Sequence, residues 1–171
     1  MEASAHNRWL IDWTISKWNN SIDKENGKEP CEVVKSDGNI LLIGGVREFL
    51  KLLSGLGGTP YDAEHSRICV GSSATPENFH QTGILATEEK RAIAKMDDGF
   101  PYIDGSGTTL VYQASFGEHE ANFVWCEASI TNGDWGNCIA LNRKTDKVGP
   151  KTRGTWTIRI RISIKSGEIF D

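Results

Sequence analysis

The sequence predicts a mainly β fold, an antiparallel β-sandwich with one short α-helix at about 42–54 and an N-terminal hairpin or arm. Three observations predict it. Apolar residues recur at every second position in several segments, most plainly Trp156, Ile158, Ile160, Ile162 and Ile164, with Thr157, Arg159, Arg161, Ser163 and Lys165 between them. Successive side chains of an extended chain point to opposite faces, so this segment has one apolar face and one polar, basic face. Strand-like segments are separated by turns such as Gly117, Asn132-Gly133 and Gly149-Pro150, which suits hairpin connections. A clear helical period occurs in one stretch only.

Taken in order, Trp9, Ile11, Trp13 and Ile15 alternate and read as a first strand, with β-branched and aromatic residues favouring it. A polar loop with Gly27 and Pro30 follows, and 31–35 reads as a returning strand. Residues 1–36 thus form a hairpin that either joins the core or reaches a neighbouring subunit as an arm, and 37–171 form the sandwich domain. Val46, Phe49, Leu50 and Leu53 fall at i, i+3, i+4 and i+7, one apolar helix face. Leu41, Leu42 and Ile43 belong to the first turn of this reading, Asn39 is its cap, and the Gly-rich stretch before Pro60 ends it. Gly44 and Gly45 allow close approach of a neighbour. A short strand running into a turn is expected in 66–73 and a strand or irregular edge at 90–97, then segments of strand composition in 108–117, 121–133, 137–144 and 154–165. The Trp156–Ile164 face is expected to pack on the opposite sheet, near Val111 and Phe123 or Val124. Trp9, Trp13, Trp125 and Trp156 are expected to be buried.

The totals narrow the function classes. A chain of 171 residues, 38% hydrophobic and 25% charged, is globular in composition. No apolar run approaches the ~20 residues of a membrane span. The N-terminus has no apolar signal core, so cytoplasmic synthesis is expected, and Cys31, Cys69, Cys126 and Cys138 read as free thiols. Net charge is −4, unevenly placed: 11 Lys/Arg against 20 Asp/Glu in 1–138, and 8 against 3 in 139–171. That distribution is no nucleic-acid footprint; it suits basic side chains that only solvate one face, or head-to-tail contacts or an acidic partner.

No catalytic, cofactor-binding or metal-ligating constellation stands out. His6, His65, His80 and His119 have no metal-motif spacing, and Glu118-His119-Glu120 reads as a solvated turn. Cys126 lies in an alternating strand and reads as core. The candidate protein-interface residues are Arg159, Arg161 and Lys165 on the basic face and Trp9, Trp13 and Trp18 on the first strand. A secondary sugar-binding candidate is Trp135 with Asp134, in a Gly/Asn-rich turn. A hydrolase using Glu120 and Asp134 is the third class considered.

The series of motifs resembles a family of small tailed-bacteriophage virion structural proteins. It runs from the tryptophan-threonine strand at Trp13-Thr14 through Asn39-Ile40-Leu41-Leu42, Thr59-Pro60-Tyr61-Asp62 and Ile68-Cys69-Val70-Gly71. It continues through Gln81–Ile84, Lys95–Pro101, Phe116-Gly117, Glu120-Ala121-Asn122-Phe123, Trp125, Asn132-Gly133, Leu141-Asn142-Arg143-Lys144, Lys151-Thr152 and Trp156-Thr157. The resemblance covers about residues 8 to 165. It departs at Gly44-Gly45, where the family has a polar residue before one glycine, and at Cys69, a glycine-like position. The resemblance implies a virion component without enzymatic activity or cofactor, made in the host cytoplasm. Its partners would be other virion proteins. A capsid decoration or cement protein on the major capsid protein is the leading expectation. A tail-tip, baseplate or fibre-attachment protein is the alternative, and a carbohydrate-binding module on the virion surface the second. A homo-oligomer is expected, a trimer suiting virion threefold sites. On this view the motif residues mostly build the fold, with 142–144 fixing a strand end by side-chain hydrogen bonds to backbone.

Overall fold

A computed structural model describes the backbone of residues 5–168 and the side chains of residues 9–164. The elements run β1 (Ala5–Trp18), α1 (Ser21–Glu25), β2 (Glu32–Asp37), β3 (Ile40–Leu41) and α2 (Ile43–Ser54). Then follow β4 (Arg67–Gly71), β5 (Arg91–Lys95), β6 (Tyr102–Ile103), β7 (Thr109–Phe116), β8 (Val124–Thr131), β9 (Asn142–Pro150) and β10 (Thr155–Glu168). Among the described residues ten strands make two antiparallel five-stranded sheets, ordered β2-β1-β10-β7-β6 and β3-β9-β8-β4-β5. The sheets pack face to face as a sandwich, as the alternation requires.

The shared core takes Ile11, Trp13 and Ile15 from β1, Trp156, Ile158, Ile160 and Ile162 from β10, and Tyr112, Ala114 and Phe116 from β7. Ile68, Val70, Trp125, Ala128 and Ile130 meet them from the other sheet. Each fully buried isoleucine contributes about 2 kcal/mol of gross transfer free energy. β1 lies inside its sheet, paired to β10 on one side and β2 on the other, so the N-terminal segment is part of the core layer. Between Trp125 and Glu127 the β8–β9 register shifts. Past this irregularity Ala128 and Ile130 face inward, while Glu127, Ser129 and Thr131 take the opposite side of a strand buried on both faces.

Four expectations need correction. Val111 is fully buried but on the other face of β7, because it pairs with Arg161 and not with an isoleucine; of its expected companions, Phe123 packs on the core and Val124 is exposed. The polar loop after β1 contains α1, capped by Asn20, whose side chain accepts from Asp23 N–H at 2.8 Å. Leu41 belongs to β3, and α2 begins after Leu42 with no side-chain cap, so Asn39 does not cap it. The face that α2 turns inward is also different: Gly45 and Glu48 are buried, while Phe49, Leu50 and Leu53 are exposed. Gly45 sets this rotation, since a Cβ there would collide with the Leu141 backbone. The helix stops at Gly55, in the left-handed conformation that closes helices, as expected.

Candidate functional site

The most prominent candidate surface is an apolar cleft where α2 lies over the first sheet. Its volume is about 580 Å3. Trp9, Phe49, Leu52, Ile103, Leu110 and Ile164 are among its walls, with Tyr61 and Tyr112. Both tyrosine hydroxyls are committed: Tyr61 donates to Ile139 O at 3.1 Å and Tyr112 to Tyr61 O at 2.9 Å. Burial pushes both phenols above their usual pKa, so they stay neutral and add no charge to the cleft. Trp9 and Phe49 meet edge to face, ring centres 5.3 Å apart, and join the first strand to the helix. The outer side of α2 shows Leu50 and Leu53, the latter 72% exposed, and Leu56 just past its end is 80% exposed. Several large apolar side chains exposed near one another in this way are a feature of interaction sites.

Polar hydrogen bonds hold that helix in place. Glu48 is buried and accepts from Thr59 N–H at 2.6 Å and from Asn132 Nδ2 at 3.4 Å. Asn132 also donates to Thr59 O and accepts from Ile139 N–H. The sequence patterns do not reveal this cleft. The available signal is Gly44-Gly45: a glycine pair on one side of a helix marks the contacting side, which leaves the leucine stripe partly outside.

The basic face of β10 has internal partners. Arg161 pairs with Asp104 at 2.9 Å. Arg159 donates to Gln113 Oε1 at 2.9 Å and stands over the Phe100 ring. Segment 97–104 thus runs along the free edge of β7, where β6 pairs with Leu110 and Val111 and Asp97 N–H donates to Gln113 O, and brings Phe100 and Asp104 against the two arginines. Arg159 stays exposed and Arg161 is half-buried. The side chain of Lys165 lies outside the described residues. Of the candidate contact tryptophans, Trp13 is buried in the core and unavailable, because β1 turns its odd-numbered residues inward. Trp9, against expectation, is 38% exposed at the cleft wall, beyond the reach of the second sheet's cover. Trp18 is half-buried, its indole N–H donating to Lys28 O at 2.8 Å, beside a polar cleft shared with Lys17, Asn20, Glu32 and Arg153.

The secondary sugar candidate is partly occupied by its own chain. The Arg91 guanidinium covers one face of Trp135 at 4.5 Å from the ring centre. Asp134 accepts from Arg67 Nε at 2.9 Å. Glu120 accepts from Gly117 N–H, and Glu118 from Ser21 N–H, so the two carboxylates around His119 serve different loops. Among the described residues no group of three or more His, Cys, Asp or Glu stands ready to hold a metal ion. Cys31, Cys69, Cys126 and Cys138 are free thiols.

Many motif residues converge on structural locks. Lys151 is buried, and its ammonium donates to Gly117 O, Glu120 O and Asn122 Oδ1 at 2.7, 2.8 and 2.9 Å. Burial pushes its pKa down to about 8, with Glu120 and Glu118 pulling the other way. Next to it Phe116, Trp125 and Trp156 form an edge-to-face series, and Trp125 Nε1 donates to Ala121 O. Asn142 accepts from Ile130 N–H at 2.8 Å, and Arg143 donates to Thr75 O at 2.9 Å, so these two of the three residues 142–144 make the side-chain-to-backbone bonds expected. Comparison with protein-family models, with curated proteins and with solved structures finds no match for the chain.

Proposed function

We propose that this chain is a structural protein of a tailed-bacteriophage virion that works by adhesion: a capsid decoration protein bound to the major capsid protein. The observation that carries the reading is the apolar exterior of α2. Leu50 and Leu53 on the helix, and Leu56 just past its end, stand in solvent, while the inward side of the helix is anchored by Gly45 and Glu48. Exposing three leucines costs solubility unless a partner covers them. The motif series from Trp13 to Thr157 supports a virion setting, through the resemblance described above. On this reading the motif residues secure the fold and the helix supplies the contact.

Co-sedimentation with purified phage heads tests it. Wild-type protein should pellet with heads, and a Leu53→Glu, Leu56→Glu double variant should stay in the supernatant while remaining folded. Equal pelleting of both proteins would exclude α2 as the contact. Wild-type protein that pellets with isolated tails and not with heads would move it to the tail.

A further inference from the structure

We infer that the free edge of β2 pairs with the same edge of a second copy of this chain, joining two first sheets into one across a two-fold axis. The contact goes beyond the head-binding reading and does not depend on it. β2 is the outermost strand of the first sheet, and among the described residues it pairs with β1 alone. Its other side presents backbone N–H and C=O groups, and an extended strand is the partner that satisfies such a row. The remaining sheet edges offer less. β6 and β3 have two residues each, and β5 runs on to Asp97, whose N–H is already given to Gln113 O of β7. β2 has six residues and is held in place, since Val34 packs on the core and Ser36 Oγ donates to Asp146 Oδ2 at 2.6 Å.

The residues of β2 select a copy of itself. Two identical antiparallel edges are related by an axis perpendicular to the sheet, so inward residues meet inward ones and outward meet outward. Glu32, Val34 and Ser36 stand beside Lys17, Ile15 and Trp13 of β1 and belong to the inward set, while Val33, Lys35 and Asp37 take the outer face. Two such registers pair five residues of the strand. One is centred on Lys35 and sets that ammonium against its own copy, which destabilises. The other is centred on Val34. There Val34 meets Val34, Glu32 meets Ser36 and Val33 meets Lys35, with no like charges opposed. Val33 is 45% exposed in the single chain, and the aliphatic stem of the facing Lys35 covers it. Lysine on a sheet edge ordinarily discourages pairing; in this register it has an apolar seat. A contact of this symmetry closes at two chains, not three.

Light scattering after gel filtration tests this with three full-length proteins: wild type, Val33→Lys, and the double variant Val33→Lys, Lys35→Glu. Val33 and Lys35 are exposed and lie beside the uncharged Ser16 and Thr14 of β1, so the substitutions leave the single chain folded, and circular dichroism checks that. Wild type should have twice the 18.9 kDa chain mass. Val33→Lys faces Lys35 of the other copy at two places and should be a monomer. The double variant opposes lysine to glutamate at both places and should be a dimer again. Monomeric wild type overturns the inference. So does a Val33→Lys protein that keeps the wild-type mass, which would place the contact on another surface of the chain. A monomeric double variant overturns it as well, because the Val34-centred register requires the rescue. Co-sedimentation of Val33→Lys with heads reads the head contact separately from these masses.

Discussion

Glu127 Oε2 and Arg143 Nη2 stand 2.7 Å apart with both side chains closed to solvent. Glu127 also accepts from Arg143 Nε at 2.9 Å and from the N–H groups of Ser73, Leu85 and Ala86. Arg143 reaches Thr75 O and Gln81 Oε1. The pair therefore holds the long segment 72–86 onto the outer face of the second sheet. Removing one member of a buried pair strands the other charge. Glu127→Gln should lower unfolding free energy by about 3–5 kcal/mol, measured by chemical denaturation. A loss below ~1 kcal/mol would mean the pair is solvated.

Lys151 makes stability depend on pH in a defined direction. Its pKa is lowered from 10.5 to about 8 in the folded chain by burial. Between those values the unfolded chain holds the proton that the folded chain has released, so stability rises with pH there. Below pH 8 the lysine is charged in both states and its contribution is flat. The stability difference between wild type and Lys151→Met should therefore shift in favour of wild type from pH 8 to 10, followed by thermal unfolding. A pH-independent difference would show that the three oxygens around the ammonium keep its pKa normal.

The clasp of segment 97–104 responds to acid. The Ser106 hydroxyl lowers the Asp104 pKa most, burial opposes it, and Ser106 N–H and Arg161 add to the lowering. A depressed carboxyl contributes stability that is present above its unfolded pKa of about 4 and is lost as pH falls through the folded value. The hydrogen-exchange protection factors of amides in 97–104, taken relative to the intrinsic rate at each pH, should fall below pH 4 in wild type. In Asp104→Asn that acid step should shrink, with faster exchange already at pH 7. Because Arg161 already has this partner, Arg161→Glu should loosen the segment, whereas Arg159→Glu, at an exposed site, should leave it in place.

Leu53 and Leu56 are exposed, so Leu53→Glu and Leu56→Glu should change stability by no more than about 0.5 kcal/mol each. They should raise solubility and lower binding of an apolar dye. A drop of several kcal/mol would mean that these leucines pack more closely than their exposure implies.

Period-two patterning makes the long strands legible, because a half-buried sheet forces alternation. Helical periodicity and the glycine stop likewise reveal α2. Neither pattern finds α1, which has five residues and none buried, and so leaves no period. The helix stripe shows an apolar side without showing which neighbour it meets; the close approach of Gly45 to Leu141 decides that. The partners of Arg159 and Arg161 are invisible for a similar reason. Gln113 lies opposite Arg159 on β7, and Asp104 reaches Arg161 because β6 joins the edge of that strand, a pairing that no local pattern encodes. The apolar cleft is likewise assembled from β1, α2, β6, β7 and β10, with no single stretch that marks it. Lys151 shows the reverse case, where a motif residue serves as the buried anchor for three oxygens.

Cryo-electron microscopy of the intact virion tests the central claim most directly. The account predicts this sandwich on the outer surface of the head, with Leu50 and Leu53 of α2 and the following Leu56 against the major capsid protein. A chain that occupies the head with α2 turned to solvent, or that is missing from the particle, would contradict it.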